Sequence, residues 1–183
     1  MLSAFACSAH AENYLADLSH TSVYFSVSHF ERSQIRGRFN KIAVKELQFN
    51  AAQNTGKLSV EIDPESVDTG VRLLDVILKG EQYFNSKEFP IVRFDASKFI
   101  FANGQLQKVE GNLNMLGTSR PITLQARRFT CGEVRIVLVT RQVCGGDFSA
   151  SFSRSSFGMS RLVPDVGDTV QLELTIEASP QSR

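Results

Sequence analysis

Apolar and polar residues alternate along most of the chain. In SVYFSVSHF, Val23, Phe25 and Val27 share one face while Tyr24, Ser26 and Ser28 take the other. KLSVEID repeats the pattern with Leu58, Val60 and Ile62, and TVQLELTIEA with Val170, Leu172, Leu174 and Ile176. A period of two sends successive side chains to opposite faces, so each segment predicts a strand with one dry face and one wet face. Antiparallel sheets have that character. Turn-forming clusters separate the segments: NAAQNTG at 50–56, ANGQ at 102–105 and LGTSRP at 116–121. About eight strands follow, with no linker, repeat or low-complexity tract. Evenly spaced strands of this number predict an all-β domain, a sandwich or a closed barrel.

One segment breaks the alternation. DTGVRLLDVILKG, 68–80, spaces Val71, Leu74 and Leu78 at helical intervals, with Leu73 and Ile77 alongside. It predicts a short α-helix at about 70–79, with Asp68 or Thr69 positioned to cap its start and Gly80 to end it. EQYFNSKEFP then adds Tyr83, Phe84 and Phe89. A helix apolar around so much of its girth is expected to lie against the sheet or to close one end of a barrel.

Composition narrows the partners. The 183 residues suffice for one sizeable core. Twenty Lys and Arg are interspersed with nineteen Asp and Glu, for a net charge of +1. Neither a nucleic-acid partner nor polybasic binding to a membrane surface is expected, because both need clustered Lys and Arg. Fourteen Phe and no Trp supply large apolar surface without polar atoms, which suits a core or a greasy cavity.

The N-terminal run MLSAFACSAHAENY ends its small, apolar character at Ala9-His10-Ala11, an A-x-A cleavage pattern. Residues 1–11 are therefore expected to be the tail of a secretory signal, and 12–179 the folded domain. Cys7 would leave with the signal, so Cys131 and Cys144 remain as a single pair. An even count in an exported protein suggests a disulfide. Segment 131–144 has two readings. A hairpin of VRIVLV with DFSASFS, turning near 140–146, would hold the two cysteines roughly 20 Å or more apart. With a disulfide, 131–144 becomes a stapled excursion between strands 121–129 and 147–154. The staple is the favoured expectation.

Catalytic and metal signatures are absent from the sequence. His10 belongs to the expected signal, while His20 and His29 flank one strand, on opposite faces and about 30 Å apart. They cannot share a metal ion, and hydrogen-bonding or capping roles are expected. There is no G-x-S-x-G elbow, phosphate loop or dinucleotide fingerprint, and no paired carboxylates are identifiable. No catalytic residue, metal or cofactor is expected.

Six stretches, in order, resemble the YceI-like, polyisoprenoid-binding family. They are YLADLSHTSVYFSVSHF, GRFNKI, SVDTG running into the short helix, YFNSKEFPIVRFDAS, VEGNLNMLGTSRPITL and FSRSSFGM, from about residue 13 to 178. The resemblance implies an exported, lipocalin-like antiparallel barrel whose apolar interior holds a polyisoprenoid or another long-chain lipid. An eight-stranded barrel can be filled by its own side chains or can hold one small ligand. Two positions depart from the family pattern. Where many relatives read Arg-Asp-x-His-Leu, this helix reads Leu74-Asp75-Val76-Ile77-Leu78, and the turn that often carries His-Gly is Leu116-Gly117. Both changes remove polar groups, which implies a less polar head or a ligand held by its tail alone. The placement of Cys131 and Cys144 resembles a cysteine-bearing branch of the family, in line with the staple.

On this resemblance the chain is expected to be a periplasmic lipid carrier rather than an enzyme. Inward Leu113, Met115, Ile122 and Leu124 would form one wall of the cavity. Phe25, Phe39, Phe49, Phe94 and Phe152, with Leu74 and Leu78 of the helix, would supply the rest. Arg120 and Arg154 are placed either to meet a polar or phosphorylated head or to hydrogen-bond backbone near a barrel rim. An exposed apolar helix or rim would suit a homodimer. Two alternatives stay open: a structural or stress-related barrel filled by its own Phe side chains, and an enzyme acting on an amphiphile such as an isoprenoid quinone precursor.

Overall fold

The alternating segments become ten strands in the computed structural model, which describes residues 12–50, 53 and 55–181. In chain order they are β1 (Glu12–His29), β2 (Ser33–Phe39), β3 (Ile42–Asn50), β4 (Thr55–Ile62) and β5 (Val67–Asp68). After helix α1 (Arg72–Lys79) come β6 (Val92–Ala102), β7 (Gln105–Met115), β8 (Thr118–Ile136), β9 (Val139–Ser153) and β10 (Val166–Pro180). The expected signal, residues 1–11 with Cys7 and His10, lies outside the described residues.

Neighbours run β10-β9-β8-β7-β6-β4-β3-β1, all antiparallel, and β1 pairs again with β10. That last pairing closes an eight-stranded barrel. Short β2 pairs with the far half of β1 and with β5, extending the wall. Register follows the apolar pattern. Val23, Phe25 and Val27 of β1 face Leu174, Leu172 and Val170 of β10, so the inward sets meet across the seam. A slip by one residue would turn every one of them outward. The Leu116–Gly117 turn between β7 and β8 has positive φ at both residues, 53° and 70°, matching the twist of the two strands it joins.

The two ends of the barrel differ. At one end lie α1, the end of β1 at His29, and the irregular segment between β9 and β10. At the other lie the hairpin tips between β3 and β4, β6 and β7, and β8 and β9.

Helix α1 starts later than expected, and neither Asp68 nor Thr69 caps it. Val71 occupies the cap position and offers no side-chain acceptor. Asp75 instead reaches back from the first turn, its Oδ1 accepting from the backbone N (2.8 Å) and the hydroxyl (2.7 Å) of Thr69. Gly80 ends the helix, donating its N–H to Ile77 O at 3.1 Å. Leu74 and Leu78 turn toward the barrel interior, Ile77 reaches it while staying exposed on its outer side, and Leu73 and Val76 are exposed.

The stapled excursion is overturned, but the disulfide stands. Strands β8 and β9 both run further than the sequence suggested, to a turn at Val137–Leu138. Their register sets Cys131 directly opposite Cys144, and the two are bonded. The hairpin and the bridge are compatible because the turn lies midway between the cysteines. The β-prone run VRIVLV contains that turn, with Val137 at φ 55°, where no Gly or Asn marks it.

Candidate ligand cavity

The strand faces that meet inside the barrel leave space between them. The cavity has a volume of about 330 Å³, within the range of small-molecule sites. On β10 its lining runs from Val166 to Ala178. Twelve rises of about 3.3 Å, tilted about 40°, carry it roughly 30 Å along the barrel. Apolar side chains dominate the wall, and its polar members are few: Thr21, Ser22, His29, Tyr83, Arg154 and Thr175.

Why the interior stays open is legible in where the aromatic rings lie. Phe25 and Gly37 are paired across β1 and β2, and the Phe25 ring reaches over the glycine. A methyl group at Gly37 would come within 2.7 Å of Phe25 Cε1 and closer still to Cζ. Phe99 lies over Gly56 in the same way, 2.6 Å from where a Cβ would sit to its Cγ. Both rings occupy the space that a side chain at the glycine would fill. Other rings gather in local groups. Phe39 packs with Phe25 and Phe84 at centroid distances of 5.6 and 5.5 Å near α1. Phe49 packs with Tyr14 and Phe129 at 4.2 and 5.7 Å toward the hairpin end. Among the described residues no ring pair joins these two groups.

The expected wall residues lie together. Phe25, Phe39, Phe49, Phe94 and Phe152, Leu113, Met115, Ile122 and Leu124, and Leu74 and Leu78 of α1 all line the cavity. Ile77 lines it as well. Arg120 does not. It follows the inward register of Ile122 and Leu124 but sits at the strand end, exposed, with Nε donating to Ser156 O at 3.3 Å.

Arg154 touches the cavity but acts chiefly as a clamp. It is only 4% exposed. Nε donates to Gly167 O (2.9 Å), Nη1 to Met159 O (2.6 Å), and Nη2 to Arg161 O (2.9 Å) and Val166 O (2.7 Å). Four of the five donors of a guanidinium are thereby committed to backbone. They satisfy two carbonyls of the irregular segment that joins β9 to β10 and two at the start of β10, and one Nη1 proton remains for anything else.

The two histidines take separate roles. His20 is exposed, and its Nδ1 lies 2.8 Å from Asp17 Oδ2. The hydrogen bond and charge of Asp17 raise the imidazole pKa above its ordinary 6.5. Hydrogen bonds from Ser19, then from His20, hold the Asp17 carboxyl down at about 2. His29 lines the cavity at the α1 end and meets the Phe30 ring edge-on at 4.6 Å. Among the described residues no group of three His, Cys, Asp or Glu is placed to hold a metal.

Sequence reasoning missed several members of the wall. Phe148 shares the alternation of Phe152 in DFSASFS and was recoverable from period two alone. Met159 and Leu162 also line the cavity, yet they come from irregular backbone with no periodic signal.

Comparison with known proteins gives this geometry a family. The YceI-like domain matches residues 14–178. The chain belongs to the YceI-like family. A UPF0312 protein of Shewanella denitrificans is 31% identical to it over 175 residues, covering 93% of this chain and 89% of the relative. Among solved structures, Burkholderia cenocepacia BcnA superposes with a TM-score of 0.76 at 22% identity, covering 90% of this chain and 100% of that one. A polyisoprenoid binding domain from Saccharophagus degradans superposes with a TM-score of 0.64 at 14% identity, covering 93% and 99% of the two chains. At these identities the solved structures establish the fold alone.

Proposed function

We propose that this YceI-like protein is an exported carrier that sequesters a polyisoprenoid or a related long-chain amphiphile in the barrel. The observation that carries the reading is the unfilled, almost wholly apolar cavity of about 330 Å³, long and narrow rather than round. Each methylene-sized group moved from water into such a wall contributes about 0.8 kcal/mol, so ten buried carbons set an upper bound near 8 kcal/mol. Ordering a flexible chain offsets part of that. With most of the Arg154 donors engaged and Arg120 outside the wall, the tail supplies most of the affinity. His29 and Tyr83 at the α1 end are the polar groups a modest head would meet. The saturated Cys131–Cys144 bridge supports an oxidising compartment, the periplasm in a bacterium, because reducing compartments keep such thiols free. The polyisoprenoid-binding description of the Saccharophagus degradans domain supports the choice of cargo.

The test is native purification followed by organic extraction and mass spectrometry, with uptake of a fluorescent prenyl probe by the delipidated protein. A co-purifying long-chain lipid, or saturable uptake of the probe at one molecule per barrel, is the expected result. Extracts free of lipid together with no uptake would refute carriage and favour a barrel whose interior has a purely structural role.

A further inference from the structure

The β8–β9 hairpin leaves the barrel at Phe129 and Cys144, two residues of the cavity wall. Beyond the disulfide it continues as a free two-stranded ribbon. Strand β7 follows β8 no further than Gln125, and β10 follows β9 no further than Cys144. Five rises of about 3.4 Å carry the ribbon roughly 17 Å past the Cys131–Cys144 pair. A hairpin this isolated is marginal in water by itself, and the disulfide fixes its base and register.

The tip is the reverse of what solvent selects. Two-residue hairpin turns favour Gly, Asn and Asp, yet this one is Val137–Leu138, with Val137 held at φ 55°. A β-branched residue is an outlier in that region. Val137 and Leu138 are 83% and 87% exposed, the highest among the large apolar residues described, and Val134 and Val139 beside them are exposed too. Behind the tip stand exposed cations. Arg135 and Arg141 lie on the ribbon, and Arg127 lies nearer the barrel. None of the three forms an ion pair among the described residues. Glu133 is the only carboxylate between Cys131 and Cys144.

We propose that this hairpin is a membrane-docking wedge for a bilayer that contains anionic lipid. Val137, Leu138 and Val139 enter the acyl boundary, and Arg135 and Arg141 engage headgroup phosphates. The spacing fits. Arg135 and Arg141 stand two and three rises from the turn residues, about 7–10 Å, comparable with the depth to which interfacial segments bury their apolar faces. A convex apolar tip with positive charge layered behind it matches acyl chains under phosphates better than it matches a protein groove. The inference does not depend on what occupies the barrel. Loss of docking and loss of lipid uptake are separately measurable.

The chain has no tryptophan, so Leu138→Trp in the full-length protein makes the tip its own reporter. With vesicles of phosphatidylcholine and phosphatidylglycerol, emission is expected to shift to the blue and to be quenched by lipid-attached bromine. Phosphatidylcholine alone should give little response, and added salt should weaken the anionic response through screening. In the otherwise native chain, Val137→Asn with Leu138→Gly should weaken vesicle co-flotation about tenfold or more. Arg135→Gln with Arg141→Gln should weaken it roughly fivefold per arginine. Circular dichroism and thermal melting confirm that each variant keeps its barrel. An unchanged emission spectrum, or co-flotation indifferent to the tip substitutions, overturns the proposal. So does light scattering that finds a native dimer dissolved by the tip variant, since the hairpin would then seat a second copy of the chain.

Discussion

Adding one methyl group at Gly37 should close part of the cavity without touching its polar groups. In Gly37→Ala the new Cβ would lie 2.7 Å from Phe25 Cε1 and 3.1 Å from Thr69 Cγ2, so the Phe25 ring must move. The open direction is inward. Overpacking costs about 1–3 kcal/mol, and disturbing the Phe25–Phe39 contact at 5.6 Å adds about 0.5–1.5 kcal/mol. The reduced backbone freedom of alanine offsets about 0.4–1 kcal/mol. A net destabilisation of about 1–3 kcal/mol is expected, lowering Tm by roughly 3–9 °C for a domain of this size. Binding should suffer more. If the displaced ring excludes three or four tail carbons, about 3 kcal/mol of burial is lost, near two orders of magnitude in Kd. The assay pairs calorimetry with titration of a fluorescent prenyl probe, and adds the double variant Gly37→Ala with Phe25→Leu. The smaller side chain should recover most of the affinity, giving a clear coupling between the two sites. Unaltered probe affinity in a folded Gly37→Ala protein would refute the view that rings seated over glycines keep the cavity open.

Three further outcomes follow from the same geometry. Arg154→Met strands the carbonyls of Gly167, Met159, Arg161 and Val166, and urea denaturation should register a loss of about 3–5 kcal/mol. Arg154→Lys should rescue little of it, because an ammonium cannot span the same fork, and a loss below about 1 kcal/mol would contradict the clamp. Replacing both Cys131 and Cys144 with Ala removes a cross-link between residues 13 apart and should lower stability by about 3 kcal/mol, read as a matching drop in Tm when the native protein is reduced. For Asp17 and His20 the pH dependence has opposite signs. The raised His20 pKa contributes stability that is complete below 6.5 and is lost as pH rises through the folded value. The lowered Asp17 pKa contributes stability present above 3.8 and lost as pH falls through about 2. An NMR titration should place the His20 midpoint above 6.5 and bring it back toward 6.5 in Asp17→Asn; coincident midpoints would dismiss the pair.

The alternating strands and their inward faces were set by the sequence alone, because a period of two is a local property. Val23, Phe25 and Val27 must share a face wherever β1 ends up. Tertiary structure decided what has no local signature. The turn of the β8–β9 hairpin falls at Val137–Leu138 because pairing along two whole strands, anchored by the opposed cysteines, outweighs the poor turn propensity of valine. Arg154 became a clamp once the chain after β9 curled over it and, with the first two residues of β10, presented four carbonyls. Alternation could say that Phe25 points inward, but not that its ring would reach over Gly37. That depends on which residue the neighbouring strand brings opposite, and so the empty volume emerges only when the barrel closes.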